Sequence, residues 1–473
     1  MIAMTLREIA AAVSGAIVDA PADEDATISG LSRTDSREVE DGDIFFAKPG
    51  EVTDGHVFAP QAVARGAAVL IVDHQLDATS FEHPVPQIVV DDVVVALGAL
   101  ATEVIARARS HGNLRIVGVT GSNGKTTTKN LLRAILSPIG QTVAARESFN
   151  NEVGAPVTML EVDEKTDYLV AEMGASRQGE IARLVAMARP DIGIVLKVGL
   201  AHAGEFGGIE ATLRAKTEMV SDLLATGTAI LNRDDPRVAS MADKTRARIL
   251  WFGLGPGADV RADDIQVSST GTSFSLSLPD GSSRPVVFHV LGEHHVMNAL
   301  AAAAAAHVLG VPIDAIVVGL ESVTRAERWR MEVLNGTRGV TVINDAYNAS
   351  PDSMAAALKT LAQIATPGQR TVAVLGEMTE LGELSGEEHD RIGLLAVRLN
   401  IDALVVVGPG ARRMHISAIR EGSWDGESAY VDTPDAAFEL LRTTLKSGDV
   451  VLVKSSNAAS LRFLGDRLGE LLS

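Results

Sequence analysis

Cysteine is absent from the 473-residue chain. Its absence excludes disulfide cross-links, thiolate metal sites and a cysteine nucleophile, and it suits a reducing compartment. Basic residues are in deficit: 42 Lys and Arg stand against 61 Asp and Glu, a net charge of -19. Such a balance argues against a protein that grips nucleic acid by its phosphates, while leaving room for a small anion held locally. No apolar run reaches membrane-spanning length. The nearest, "ALAAAAAAHVLG", is alanine-rich and stops at His307 and Gly310, as expected of a helix packed tightly against a neighbour. The N-terminal "MIAMTLREIAAAVSGAIV" lacks a basic leader and carries Arg7 and Glu8, so it reads as a first helix and not a signal peptide. Neither a fixed-period repeat nor a low-complexity linker is present.

The chain does hold enough apolar residues, 46%, for a substantial core, and its length predicts more than one domain. Three are expected, at residues 1–110, 111–325 and 326–473. The first mixes short strands ("GDIFFA", "AAVLIVD", "PQIVVD") with helical stretches such as "VFAPQAVARGA". In the second, "RIVGVT", "DYLVAEMG", "IGIVLKV", "GTAILN" and "RILWFG" read as strands separated by helices. That alternation predicts a mostly parallel, helix-covered sheet. Its later part, from "DIQVSS" to "VFHVLG", alternates polar and apolar residues around a "PDGS" turn and predicts a hairpin. In the third, strands "GVTVINDAY", "RTVAVLGEM", "IDALVVVG" and "DVVLVKSS" again alternate with helices. The fold class is therefore α/β throughout.

Within the second unit, "GVTGSNGKTTT" joins a strand to a helix. A strict phosphate-binding loop has glycine where this chain has Val119, but Gly121, Gly124, Lys125 and Thr126 keep the working half. There glycines bring backbone N–H groups close to phosphate oxygens, lysine reaches the β and γ phosphates, and the threonine hydroxyl ligates Mg²⁺. The bland alternative is a glycine-rich turn with an exposed lysine. Glu172 closes the strand "LVAEMG", where parallel sheets bind ligands; it suits a Mg²⁺ ligand and an ordinary strand-end glutamate equally. His202, just past another apolar strand, is by itself more often structural than a ligand. Lys216, on the helix "TLRAKTEMV", reads by itself as a solvated lysine. "GLGPG" at Gly253 has no helix after it and reads as a loop. His294 and His295 fit a domain interior as well as a ligand.

The segments "TDSREVEDGDIFFAKPGEVTDGHVF", "GVTGSNGKTTT", "SFNNEVGAPVTML", "VAEMGA", "VGLAHAGEFGG", "RAKTEM", "LNRDD", "GEHHVMNALAA" and "RMEV" followed by "VINDAYNASPDSM" occur in the order found in the Mur ligases. The chain resembles this family of ATP-dependent, amide-forming enzymes of bacterial peptidoglycan precursor synthesis over nearly its whole length. The resemblance implies an N-terminal UDP-substrate domain, a central P-loop ATPase domain, and a Rossmann-like C-terminal domain that binds the amine and closes on ATP. Two segments, "FNNEVGAPVTML" and "DAYNASPDSM", are similar to those of the member that joins D-alanyl-D-alanine to UDP-N-acetylmuramoyl-tripeptide. The D-[ND]-P-R motif of the diamino-acid-adding member is missing.

Carried over by position, the resemblance assigns ATP to Thr120, Gly121, Ser122, Asn123, Gly124, Lys125, Thr126 and Thr127, with Asn298 on the adenine and Arg330 and Asp345 closing on the nucleotide. Two Mg²⁺ ions fall to Thr126, Glu172, His202 and Lys216, the last as a carbamate. Lys125, Glu172, His202 and Lys216 form the implied catalytic set. Ser36 and Arg37 are assigned to the uridine, Asn150 and Asn151 to the muramoyl peptide, and Tyr347 and Asn348 to substrate. A cytoplasmic monomer acting on small molecules is expected, with no nucleic acid and no membrane insertion. The chain departs from the family pattern at Lys197, Ala346 and Asn457. Two alternatives stay open: a related ligase of diaminopimelate-adding or folylpolyglutamate type, and a non-ligating ATP-dependent switch.

Overall fold

The computed structural model describes all residues except 20–24, 51–52, 146–148, 201–206, 325–326, 336–338, 422–426 and 473. Its largest sheet has nine strands. In spatial order these are Ser283–Phe288, Gly271–Ser277, Val260–Ser268, Arg248–Gly253, Thr228–Asn232, Ile192–Val195, Arg115–Thr120, Tyr168–Glu172 and Thr142–Ala144. From Val260–Ser268 onward all neighbours are parallel. The strands Arg115–Thr120, Ile192–Val195 and Thr228–Asn232 are almost wholly buried apolar runs, as strands covered on both faces must be. The expected hairpin forms the antiparallel edge, Gly271–Ser277 with Ser283–Phe288, turning at Gly281 with φ +84°. Strand order reverses beside Arg115–Thr120, so the carboxyl end of that strand opens into the crevice where α/β sheets take their ligands.

A five-stranded sheet precedes it, in order Ala16–Val18, Gln87–Val89, Val69–Val72, Ile44–Phe46 and Ser32–Arg33, the last four parallel. A six-stranded sheet follows: Glu332–Asn335, Thr341–Asn344, Val450–Lys454, Thr371–Leu375, Ala403–Val407 and Glu427–Val431. Only its first pair is antiparallel. The first helix, Leu6–Ala12, begins with a reciprocal cap between Thr5 and Glu8, which explains a helix start only five residues into the chain. The segment read as one helix from "VFAPQAVARGA" is shorter, a 3₁₀ turn Gly55–Phe58 followed by a helix only over Ala59–Ala64.

Two features of the core position the site. Helix Val93–His111 buries Leu97, Leu100, Val104 and Ile105 in one continuous core that also holds Ile9 and Phe46 of the first module and Ile116, Leu169 and Ile181 of the central one. First and central modules are thus welded through apolar contact. The alanine-rich helix, Glu293–Val308, lies inside the central module against helix Lys125–Leu136 and the strands Arg248–Gly253 and Val260–Ser268, with Ala299 to Ala306 fully buried. Small side chains let it sit close enough to hold the helix that follows the glycine-rich turn. Ala302→Leu should overpack this contact and lower stability by about 1–3 kcal/mol, read as a fall in Tm by calorimetry; an unchanged Tm would mean the helix has slack on that face.

Candidate active site

The strand Arg115–Thr120 ends in a turn whose backbone only glycine takes easily: Gly121 has φ +152° and Gly124, the N-cap of helix Lys125–Leu136, has φ +87°. Gly124 also faces Asn298, and a Cβ placed on it would stand 2.2 Å from Asn298 Oδ1. The absent side chain therefore leaves the helix N-terminus open and lets Asn298, from the buried alanine-rich helix, reach the turn. Lys125 folds back so that Nζ donates to the Gly121 carbonyl at 2.9 Å, stretching the lysine over the loop. Ser122 is tied to the neighbouring strand end, its N–H donating to the Lys197 carbonyl at 2.8 Å and its Oγ accepting from the Gly199 N–H at 2.9 Å.

Beside this turn, Glu172 ends the parallel strand Tyr168–Glu172 and is 1% exposed. One carboxylate oxygen accepts from Asn150 Nδ2 at 2.7 Å; the other is buried with no hydrogen-bond partner among the described residues. A buried carboxylate oxygen left open costs free energy unless a cation or donor meets it, and hard divalent cations take such ligands. Two amines, of Lys125 and Lys129, feel its charge, and a third, of Lys216, lies near Lys125. Burial holds the Lys125 ammonium below its usual range, with Glu172 opposing and Arg330 assisting that shift. Burial lowers Lys129 too, again opposed by Glu172. Lys216, 3% exposed on helix Ile209–Ser221, is pushed down to about 7, first by burial and then by the charge of Lys125. Lys216 is therefore no solvated lysine.

The six-stranded module roofs the turn. Arg330 Nη2 lies 3.5 Å from Thr126 Oγ1, and its guanidinium stacks 4.3 Å from the Tyr347 ring centroid. Its backbone is held in an unusual course, with Trp329 and Met331 on either side both at positive φ. Asp345 accepts from the Met331 N–H at 3.0 Å and from Lys454 Nζ at 2.6 Å, so it pins the Arg330 turn to the strand end Val450–Lys454. Lys454 is 2% exposed and also donates to the Asn348 carbonyl at 3.0 Å. Between roof and turn lies a cavity of about 950 Å³. Its walls include Ser122, Asn123, Gly124, Lys125, Thr126, Thr127, Asn150, Glu172, Asn298, Arg330, Asp345, Tyr347 and Asn348.

Several wall residues had no assigned role in the sequence: Lys454, Asp234, Asp235, Phe252, Glu388 and Arg391, together with His294 and His295. The pair of histidines faces the cavity as well as the interior, and burial drives His294 down to about 4, so it is a neutral ring at physiological pH. Thr120 and Gly121 frame the turn from behind without lining the cavity, and Lys216 lies behind the wall. Asn151 precedes the helix Gly154–Met159, its Oδ1 accepting from the Gly154 N–H at 2.9 Å, and is not among the cavity's lining residues. Ser36 and Arg37 sit at the carboxyl end of the five-stranded sheet. Ser36 Oγ donates to Gln61 at 2.8 Å, and Arg37 is an exposed partner of Asp35. His202 lies outside the described residues. Among the described residues, His56, Asp73 and His74 cluster near that first sheet, but His56 is already satisfied by Asp54 at Nδ1 and the Asp73 N–H at Nε2.

A parallel sheet with a glycine-rich turn at its switch point, covered by a second α/β module that contributes cations to the same cavity, has the architecture of a P-loop nucleotide enzyme. Comparison with known proteins narrows the class. Residues 28–104 match the Mur ligase family catalytic domain, 119–306 the Mur ligase middle domain, and 329–457 the Mur ligase glutamate ligase domain. The chain belongs to the Mur ligase family. It is 42% identical to the UDP-N-acetylmuramoyl-tripeptide--D-alanyl-D-alanine ligase of Mycobacterium tuberculosis, over 99% of this chain and 98% of that one. MurF from Acinetobacter baumannii superposes with a TM-score of 0.87 at 34% identity, covering 99% of each chain. The MurF ligase of Thermotoga maritima in complex with ADP gives 0.81 at 28% identity over 94% of this chain and 98% of that one.

Gly124→Ala should test the turn directly. It forces a side chain into a left-handed backbone, about 1–2 kcal/mol by itself, and against Asn298. ATP should then no longer raise the variant's Tm in a thermal-shift titration, while a full ATP-induced shift would show the turn is not where the phosphates rest.

Proposed function

We propose that the chain joins D-alanyl-D-alanine to UDP-N-acetylmuramoyl-tripeptide, with ATP driving the reaction through an acyl phosphate. The observation that carries this reading is likeness along the full length, 42% identical over 99% of the chain, to ligases named for that reaction. The cavity supports it chemically. A carboxylate does not react usefully with an amine in water, so the peptide's terminal carboxylate must attack the γ phosphorus and displace ADP. That brings three anionic groups together. Lys125 over the glycine turn and Arg330 from the roof offset the repulsion, and the N-terminus of helix Lys125–Leu136 favours the phosphates. The amine of D-alanyl-D-alanine then attacks the acyl carbon, the amide forms and phosphate leaves. Mg²⁺, which neutralises and aligns phosphate oxygens when bound, fits the open oxygen of Glu172 with the Thr126 hydroxyl nearby.

In this reading Asn298 contacts the adenine, Arg330 and Asp345 close on the nucleotide, Asn150 and Asn151 serve the muramoyl peptide, Tyr347 and Asn348 the substrate side of the roof, and Ser36 with Arg37 the uridine. His202 and Lys216 complete a second Mg²⁺ site. The boundaries near residues 110 and 325 separate a substrate, an ATP and an acceptor module, and the enzyme acts as a cytoplasmic monomer. Among the described residues no helix is long and apolar enough to cross a membrane.

Phosphate release measured with ATP and UDP-N-acetylmuramoyl-tripeptide should rise sharply when D-alanyl-D-alanine is added and should stay low with glutamate or diaminopimelate. Equal turnover with diaminopimelate would move the chain to another ligase of the family. Phosphate release indifferent to every amine would favour the switch.

Lys216 is proposed to work as a carbamate. The modification consumes a neutral amine and CO₂, and burial beside Lys125 supplies the neutral amine. Lys216→Ala should lose more than about 100-fold in rate, and regain part of it with added short-chain carboxylic acids that restore the missing oxygen ligand. Lys216→Arg should stay inactive. An active arginine variant would mean the site needs positive charge there and would end the carbamate reading.

A further inference from the structure

Position 197 holds lysine where the family pattern has asparagine, and the reaction derived above gives that side chain no task. Lys197 follows the strand Ile192–Val195, and its carbonyl is braced by the Ser122 N–H of the phosphate turn at 2.8 Å. Its Nζ leaves the central module and reaches Asp352 Oδ1 at 3.2 Å. Asp352 is the second residue of helix Pro351–Ile364 in the roofing module, and its other oxygen lies so close over Gly199 that a Cβ there would stand 2.3 Å away. Gly199 is in turn bonded to Ser122 Oγ. At the same helix end Ser350 Oγ lies 3.3 Å from Asn123 Oδ1. The helix N-terminus therefore sits directly on the phosphate turn, with Lys197 and Asp352 as a charged contact across the seam.

We infer that Lys197 is a positioning residue: through Asp352 it holds the roof shut on the phosphate turn while the acyl phosphate exists. The inference rests on the ligation proposed above. The acyl phosphate has two fates. Attack by the amine nitrogen on the carbonyl carbon breaks the C–O bond to phosphate, which leaves with the electron pair, while the amine proton is released and the amide remains. Attack by water breaks the same bond, regenerates the carboxylate and wastes the ATP. A seam that opens early admits water, so the latch acts on the partition between these fates. Both side chains are about a third to a half exposed, 46% for Lys197 and 31% for Asp352, so the pair biases closure and does not lock it.

The test is the ratio of phosphate released to amide formed, measured with ATP, the UDP-tripeptide and D-alanyl-D-alanine. Lys197→Ala should raise that ratio by about 2–5-fold, the change expected from losing one part-exposed ion pair, with Tm and the KM for ATP nearly unchanged. Lys197→Arg and the charge-swapped pair Lys197→Asp with Asp352→Lys should return it to the wild-type value, which a generally loosened fold would not do. A ratio unchanged in Lys197→Ala, or a charge swap as leaky as either single variant, overturns the inference; the second outcome would mean that Lys197 touches substrate. Small-angle scattering with a non-hydrolysable ATP analogue supplies a reading independent of turnover: Lys197→Ala should be more expanded than wild type and the swapped pair should not, and equal dimensions count against the latch. Absence of any amine-dependent turnover in the wild-type chain would instead refute the ligase reading, leaving scattering to decide the latch.

Discussion

Buried positive charge around one open carboxylate oxygen sets the terms for the rest of the molecule. Lys125 and Lys129 are held out of water near the carboxyl end of the central sheet, and Arg330 is brought over from the roof. Against them stand Glu172 and, beside Arg330, Glu327, whose carboxyl burial pushes up. Charges out of water are tolerable only when paired. The surplus of cations is therefore a demand for anions, and a polyphosphate meets it. This explains why the strands must run parallel here: only then do Thr120, Glu172 and the residues after Val195 emerge at one edge, from segments some 25 to 50 positions apart.

The two flanking modules meet this centre in different ways, and the difference has a physical reason. On the first side, helix Val93–His111 runs an unbroken apolar core between the sheets, so opening that junction would expose hydrocarbon to water. On the other side the contacts nearest the chemistry are polar: Arg330 to Thr126, Ser350 to Asn123, Lys197 to Asp352. Leu291 and Val267 also join the apolar cluster of the last module. Polar groups can exchange partners with water at modest cost. A ligase must admit nucleotide, shut out water and then release product. An apolar junction on one side and polar contacts on the other suit these requirements, since only the polar side can part without exposing hydrocarbon.

The glycine turn was legible in the sequence because its information is local: glycine, lysine and threonine spacing between an apolar strand and a helix has few other uses. Glu172 was half legible for the same reason, as a charge closing an apolar run. Lys454 carries that same signature at the end of "VVLVK", but its partner Asp345 is 109 positions away, and only the pairing of Thr341–Asn344 with Val450–Lys454 brings them together. His294 and His295 were ambiguous because a helix that is buried all round has no polar face to orient them. Lys129 and Lys216 were illegible as buried residues, since helical spacing alone places a lysine on a solvent face by default. The shortened helix at Ala59–Ala64 reflects competition from Asp54, whose carboxylate captures the His56 N–H and tightens the preceding turn to 3₁₀.

The overall acidity of the chain fits this reading once distance is considered. A surface carrying most of a net charge of -19 repels ATP and a UDP-linked peptide only within a Debye length, about 8 Å at physiological salt. Inside the cavity, where screening is weak and the local dielectric low, Lys125 and Arg330 meet at the glycine turn, while Lys454 is paired with Asp345. Short-range attraction therefore decides binding of small anions, whereas a long polyanion would feel the acidic surface along its whole length. A net negative surface with cations confined to the cavity is therefore compatible with holding a small nucleotide, without any recognition of the base being required.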